Sequence, residues 1–189
     1  MAVETPGNTF NMLRLRSGRY LDIANPKPEQ FRFSDIAGGL SKLCRFGGQL
    51  RCFYSVAEHS VLCAQQAEED GHSIEEQVSC LLHDASEAFI GDVIRPLKRM
   101  LSEYREIECM IEEMIWEKYD LRGLSYIVKE IDNAMLFAER SHFFADDGRK
   151  WDGEDGVRVI RPHFLEWEPV NAEAVFTQKA LELGIDTSI

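Results

Sequence analysis

The sequence contains 189 residues, of which 44% are hydrophobic and 29% are charged, and its net charge at pH 7 is -12. This length suits one domain, and the hydrophobic fraction is enough for a packed core, which excludes a disordered chain. Because 33 acidic residues outnumber 21 basic ones, most of the surface repels polyanions. We therefore expect a single globular domain over residues 1–189 that does not bind a nucleic-acid polymer.

Two features of the sequence bear on its compartment. There is no run of about 18 apolar residues, and residues 1–10 lack the basic flank and apolar stretch of a secretory signal. The five cysteines are odd in number and contain no C-x-x-C pair, a usage typical of a reducing compartment. These observations predict a cytoplasmic protein without a membrane span.

The first predicted element is a small β-hairpin. Residues 12–16 and 19–23 each alternate apolar and polar side chains, and Ser17-Gly18 between them supplies a turn. Because an isolated hairpin is only marginally stable, we expect it to pack against the helices that follow.

Helix-capping residues and apolar spacing predict that the rest of the domain is helical. Ser34, Ser55 and Ser73 are candidate N-cap residues, and Glu76 completes a capping box with Ser73. The predicted helices are 34–46, 55–69, 73–90, 97–119, 125–144 and 171–183. Residues 146–169 have no apolar period and are predicted to form a long loop. The predicted fold class is all-α, with a helical core over about 34–144 and a loop and C-terminal helix over 145–189.

Several polar residues interrupt the apolar faces of the predicted helices. His83-Asp84 stands inside an apolar stretch, where neither side chain is expected unless it is paired or coordinated. Glu87 follows at a spacing that shares their helix face, and His59 and Asp132 interrupt two other helices. A buried His-Asp pair or a helix edge facing water would explain the dipeptide alone. Buried acids on several helices, however, are costly unless they meet at a cation.

The order of these residues resembles that of a known family. Four segments carry the resemblance: Glu58-His59-Ser60, Leu82-His83-Asp84-Ala85-Ser86-Glu87-Ala88, Gly91-Asp92 and Lys129-Glu130-Ile131-Asp132. Together they look like the H…HD…D pattern of HD-domain metal-dependent phosphohydrolases, over about residues 34–144. The sequence is most similar to small bacterial and phage members that act on nucleotides, notably the 5'-deoxynucleotidases. The fold that this resemblance implies is the HD-domain helical bundle.

The resemblance implies a role for each matching residue. One divalent metal is held by four ligands, which are His59, His83, Asp84 and Asp132. Glu87 is the acid/base that acts on the hydrolytic water, and Asp92 lies close to the substrate sugar. The substrate is bound by Arg45, Phe46 and Lys98. Phe46 stands where the deoxynucleotidases typically have tryptophan, and Ile94 stands where many relatives have proline.

The ligand set and the resemblance together predict the cofactor and the reaction. Two imidazoles and two carboxylates suit Co, Mn, Zn, Ni or Fe. Family members with two metals carry further histidines between the HD pair and the final Asp, whereas residues 85–131 contain none, so we expect one divalent transition metal. The implied reaction converts deoxynucleoside 5'-monophosphates to nucleoside and phosphate. The alternatives are a triphosphohydrolase that releases triphosphate from a deoxynucleoside triphosphate and a non-catalytic nucleotide- or protein-binding module, against which Glu87 argues.

Other residues are interpreted without a role in this site. Cys63 and Cys80 lie close in sequence to His59 and His83, where a structural zinc is conceivable but core packing is typical of small apolar cysteines. The apolar stripe at 100–115, with Trp116, is interpreted partly as the surface of a homodimer. The remaining histidines are assigned to the surface or to hydrogen bonds: His72, His142 and His163.

Overall fold

The structure is a computed structural model that describes residues 10–188; nearly all of the segment inspected for a secretory signal, residues 1–10, lies outside this range. The described chain begins with a two-stranded antiparallel hairpin, β1 (Met12–Arg14) and β2 (Tyr20–Asp22), and is otherwise helical. Leu21 of β2 is fully buried, while Ser17 in the turn donates two hydrogen bonds to the carboxylate of Asp35. The predicted all-α class with a hairpin embellishment is confirmed, and the hairpin packs on the helical body as expected.

The helices follow the predicted order with altered boundaries. They are α1 (Phe33–Leu40), α2 (Val56–Glu69), α3 (Ile74–Leu82), α4 (Glu87–Ile90), α5 (Arg95–Lys98), α6 (Ser102–Lys118), α7 (Tyr126–Phe143) and α8 (Pro169–Glu182). Ser55, Ser73 and Ser125 act as N-caps, since each side-chain oxygen accepts a hydrogen bond from the backbone N–H three residues later. The starts of α2 and α3 are therefore fixed by the serines that predicted them, and Ser125 fixes the start of α7 in the same way.

The N-cap and the end predicted for the first helix are both wrong. α1 begins at Phe33, with Arg32 rather than Ser34 as its N-cap, and it ends at Leu40 rather than at residue 46. Residues 45–48 form a separate tight turn in which Phe46 has a φ of 56°. A bulky side chain rarely adopts this left-handed backbone, so the residue type at position 46 did not predict the turn.

The helix predicted over 73–90 is broken after Leu82. After Leu82 several backbone N–H groups bond to the carbonyl three residues back, as in the 3.0 Å bond from Ala85 to Leu82 and the 3.0 Å bond from Glu87 to Asp84. This tighter winding separates α3 from the short α4. His83, Asp84 and Glu87 therefore do not share one regular helix.

Two further starts differ from the prediction. The long helix α6 begins at Ser102 because residues 95–98 form the separate turn α5. The last helix begins at Pro169, with Glu168 rather than Asn171 as its N-cap, because proline suits the first position of a helix. Between α7 and α8 the chain contains neither helix nor strand, as predicted for the long loop.

The core is built around α2. Residues 56–64 of this helix are all buried, and α3, α7 and α8 pack against it. Among the largest buried side chains are Phe33 and Phe176, whose rings stack with centroids 5.6 Å apart and join α1 to α8. Burying such a ring stabilises the fold by about 1.5–3 kcal/mol. The stripe predicted at 100–115 is partly core, since Ile111 and Ile115 are buried, and the homodimer stays a prediction.

One glycine positions the helix that carries Glu87. A Cβ atom added to Gly39 of α1 would lie 2.7–2.9 Å from atoms of Ala88, closer than packed atoms tolerate. Glycine thus allows α1 to lie directly against α4.

In the described part of the chain, no helix has the length and apolar character needed to cross a membrane.

Candidate metal centre and adjoining cavity

The four residues predicted as metal ligands converge from three parts of the fold. His59 lies on α2, His83 and Asp84 in the turn after α3, and Asp132 on α7. The Nε2 atom of His59 lies 3.2 Å from Nε2 of His83 and 3.3 Å from Oδ1 of Asp132. His83 Nε2 is also 3.2 Å from Oδ2 of Asp84. Metal binding by this set stays a prediction, but the geometry brings all four together.

The far sides of both imidazole rings are already occupied. His59 Nδ1 lies 2.6 Å from the carboxylate of Glu139, and His83 Nδ1 lies 2.7 Å from the backbone carbonyl of Cys80. With the proton held at Nδ1, the Nε2 atoms present lone pairs to each other, which repel unless a proton or a cation lies between them. This arrangement fits a bound metal ion.

The electrostatics of the cluster point the same way. Burial lowers the pKa of His83, but the carboxylates of Asp84 and Asp132 outweigh burial and raise the pKa well above its usual value. In the same way, burial raises the pKa of Asp132, but His59 and His83 outweigh it and hold that pKa well below its usual value. The cluster therefore favours positive charge at its centre.

A buried thiol adjoins the two histidines. Cys63 Sγ lies 3.6 Å from His59 Nε2, and the donor atoms of His59, Cys63 and His83 all lie within 4.8 Å of one another. Burial raises the pKa of Cys63 well above its usual value, so the side chain is a thiol in the absence of a metal. His59, Cys63 and His83 thus form a buried group that could hold a metal ion, in addition to the core role predicted for Cys63.

The sequence prediction missed Glu139. This fully buried carboxylate accepts hydrogen bonds from Tyr54 (2.8 Å) and Arg45 (3.0 Å) besides its contact with His59. Burial raises its pKa, but Arg45 and His59 outweigh burial and lower it. Glu139 follows Asp132 by seven residues, two helical turns along the same face of α7, and this spacing was the signal available in the sequence.

Glu87 and Asp92 lie beside the cluster. Glu87 is 5% exposed, and its Oε2 atom has no hydrogen-bond partner among the described residues. Burial, with the negative charges of Asp84 and Asp92, raises the pKa of Glu87 well above its usual value. Burial likewise raises the pKa of Asp92. An unpaired carboxyl group whose pKa is raised toward neutral pH is suited to proton transfer.

A cavity of about 510 Å³ opens onto these carboxyl groups. Seven of the nine predicted site residues line it: Arg45, Phe46, Asp84, Glu87, Asp92, Lys98 and Asp132. The sequence prediction missed several lining residues: Arg95, Arg99, Phe144, Trp151 and Asp152. His59 and His83 lie in the buried layer behind the cavity wall.

The cations around the cavity are all paired with acids. The Arg45 guanidinium lies between Glu139 (3.0 Å) and Asp84 (3.5 Å), and its Nε atom is buried without a partner among the described residues. Lys98 Nζ lies 2.6 Å from Glu108. Four cations and five acids line the cavity, so its charges nearly balance and an anionic ligand is not excluded from it.

Comparison with known proteins places the chain in a family. It matches no family model. It is 38% identical over 177 residues to the uncharacterized protein YfdR of Escherichia coli (strain K12), a match that covers 93% of this chain and 97% of that protein. The chain belongs to the YfdR family. This YfdR-family chain is also 35% identical over 180 residues to an uncharacterized protein of Rhodobacter capsulatus, covering 88% of this chain and 92% of that protein. The names of these relatives state no activity for the YfdR family.

Proposed function

We propose that the protein is a metal-dependent phosphohydrolase that converts deoxynucleoside 5'-monophosphates to nucleoside and phosphate. The observation that carries the proposal is the meeting of His59, His83, Asp84 and Asp132 beside the unpaired carboxyl group of Glu87. The resemblance of these residues to the HD-domain phosphohydrolases, and of the chain to their deoxynucleotidase members, supports the same reaction.

The residues that would hold the metal are His59, His83, Asp84 and Asp132, with the Cys63 thiol within reach of His59. This donor set suits a divalent transition metal such as Co, Mn, Zn, Ni or Fe. A divalent metal bound there supplies positive charge that polarises a phosphoryl oxygen and acidifies water.

The chain's own residues supply binding and proton transfer. Arg45, which is also paired with Asp84 and Glu139, and Lys98 both line the cavity, where their positive charges can attract a phosphate. The carboxylate of Glu87 can take a proton from water as the water oxygen bonds to phosphorus. It can then give that proton to the sugar oxygen as the phosphorus–oxygen bond to the sugar breaks. Asp92 lies on the cavity wall, where a carboxylate can accept a hydrogen bond from a sugar hydroxyl.

A second candidate is release of triphosphate from a deoxynucleoside triphosphate. The observation that favours it is the number of cations around the cavity, because Arg95 and Arg99 line it in addition to Arg45 and Lys98. Additional cations suit a longer phosphate chain. A non-catalytic binding module is the third outcome that an experiment has to separate.

The test uses metal-stripped protein to which Mn, Co or Zn is added, with dAMP and dATP as substrates and chromatography of the products. We expect deoxyadenosine and inorganic phosphate from dAMP. Glu87→Gln should retain the metal and lower kcat by about 100-fold to 10,000-fold, since it cannot transfer the proton. The control is Glu113→Gln, on the exposed side of α6, which should retain full activity.

Each other result assigns a different function. Intact triphosphate from dATP at a higher kcat/KM than phosphate from dAMP would replace the proposal by the second candidate. Metal-loaded protein that binds nucleotides without turning over either one would make the chain a binding module. A Glu87→Gln variant that loses metal would make Glu87 a ligand rather than an acid/base.

A further inference from the structure

The wall of the cavity carries aromatic side chains as well as carboxylates. Phe46, Phe144 and Trp151 all line it. The Phe46 and Phe144 ring centroids are 5.3 Å apart, Phe144 and Trp151 are 5.5 Å apart, and Phe46 and Trp151 are 6.1 Å apart. The three rings therefore form one aromatic cluster on the wall of the same cavity that the candidate metal centre adjoins.

Core packing does not account for this cluster. The hydrophobic core extends along the same part of the chain to Phe143, Phe164 and Trp167, yet none of the three cluster rings is among the described residues that build it or pack on it. All three rings remain partly exposed to solvent. Large aromatic side chains left at a cavity wall offer flat apolar surface to a ligand.

The backbone at Phe46 is strained. Its φ of 56° and ψ of 29° lie in the left-handed region, which a bulky residue enters at a cost of about 1–3 kcal/mol. Gly47 and Gly48 continue the turn with positive φ, which glycine adopts without strain. Strain of this kind at a cavity is typical of a side chain placed for binding.

Trp151 is held in place although it lies on the long loop. Its backbone N–H donates a 2.9 Å hydrogen bond to Glu154, and the guanidinium of Arg140 lies 5.2 Å from the centre of its ring. Arg140 and Glu154 are themselves joined at 2.6 Å, which ties this part of the loop to α7. The indole is thus positioned before any ligand arrives, so little entropy is lost when a ligand stacks on it.

We propose that Trp151, together with Phe46 and Phe144, is the surface on which the planar base of the substrate stacks, which makes Trp151 a substrate-binding residue. The proposal rests on the proposed function, because it takes the substrate to be a nucleotide whose phosphate lies beside the candidate metal centre. Stacking uses the face of the ring, which every base has. The site should therefore accept any base and should prefer purines, whose larger faces cover more of the aromatic surface.

The test measures the affinity of the full-length protein for three probes: dAMP, deoxyadenosine and 2-deoxyribose 5-phosphate, which has no base. Trp151→Leu removes the ring and keeps an apolar side chain. It should weaken dAMP and deoxyadenosine by roughly 5- to 150-fold, the effect of losing about 1–3 kcal/mol of stacking. Its affinity for the base-free sugar phosphate should change less than twofold. Trp151→Phe keeps a ring and should recover part of the loss.

Two further variants make the result specific. Phe144→Leu removes a second ring of the cluster and should repeat the selective loss. Leu165→Ala alters an exposed side chain of the same loop outside the cavity and should leave all three affinities unchanged. Equal weakening of all three probes by Trp151→Leu would mean that the loop only shapes the cavity, and would overturn the proposal.

The outcomes also separate this proposal from the proposed function. If dAMP is hydrolysed but Trp151→Leu leaves its KM unchanged, the phosphohydrolase proposal stands and the stacking proposal is overturned. If no phosphate ester is hydrolysed but deoxyadenosine binds in a Trp151-dependent way, the stacking surface stands and the enzymatic proposal fails. If the wild-type protein binds none of the base-containing probes, the stacking proposal is overturned.

Discussion

His59 is held by contacts on both sides of its imidazole ring. Glu139 binds Nδ1, which fixes the tautomer, while Nε2 lies against His83 and Asp132. A carboxylate behind a histidine ligand raises the basicity of the ring and fixes its orientation. At the scale of single residues, Glu139 therefore controls what His59 can bind.

Glu139→Gln removes this control while keeping the size of the side chain. We expect a 10- to 100-fold loss of metal affinity, because the neutral amide no longer holds the Nδ1 proton of His59 by charge. Chelator competition with Zn or Co measures the change. Glu130→Gln, on the exposed side of the same helix, is the matched control and should bind metal normally. Equal affinities for both variants would refute the positioning role of Glu139.

Five residues of the candidate site were predictable as polar residues that interrupt apolar helix faces: His59, His83, Asp84, Glu87 and Asp132. The other four came only from the family resemblance: Arg45, Phe46, Asp92 and Lys98. Glu139 was missed because its partners, Tyr54 and Arg45, are distant in sequence. Trp151 was missed for a similar reason, since nothing in an aperiodic loop predicts which part of the fold it contacts. Spacing along a helix is visible in a sequence, whereas contacts made by a loop are not.

At the scale of elements, the helix starts that have a serine N-cap in the structure were predicted best. Serine N-caps fix α2, α3 and α7 by a local hydrogen bond that the sequence displays. The break after Leu82 has no such signal, because Leu82, Ala85 and Phe89 have the apolar spacing of a continuing helix. The tighter winding there still places Asp84 and Glu87 one turn apart, since three residues make one turn of this winding.

The end of the long loop is attached to α2 by the carboxylate of Glu58. Glu58, fully buried, accepts hydrogen bonds from the backbone N–H groups of Leu165 (2.7 Å), Glu166 (2.9 Å) and Trp167 (2.8 Å). Hydrogen bonds to a charged acceptor are stronger than those to a neutral one. Glu58 thereby fixes the end of the loop next to the helix turn that carries His59.

Glu58→Gln should lower the free energy of unfolding by about 1–3 kcal/mol, because the amide offers one oxygen without charge to three donors. Urea denaturation followed by circular dichroism measures the change. The control is Glu69→Gln at the exposed end of α2. A midpoint unchanged from the wild type would show that solvent satisfies these N–H groups equally well.

At the scale of the whole molecule, the candidate metal centre joins α2, the turn after α3, and α7. Ions that bind only the folded state stabilise it by about 2.7 kcal/mol at a concentration of 100 times Kd. For a chain of this size that corresponds to a Tm higher by about 5–11 °C. Calorimetry of metal-stripped and metal-loaded protein measures the difference, and Asp84→Asn should abolish it. Equal Tm values for the stripped and loaded wild type would rule out the four-ligand centre.

The packing of α8 on α2 and α1 has a consequence for how the chain is made. Ala172, Phe176 and Ala180 of α8 are fully buried, and they cover helices synthesised more than a hundred residues earlier. During translation, the apolar surface of α2 therefore remains exposed until α8 has been synthesised. Contacts this distant in sequence form late, and partly built chains that expose such surface are prone to aggregation and depend on chaperones.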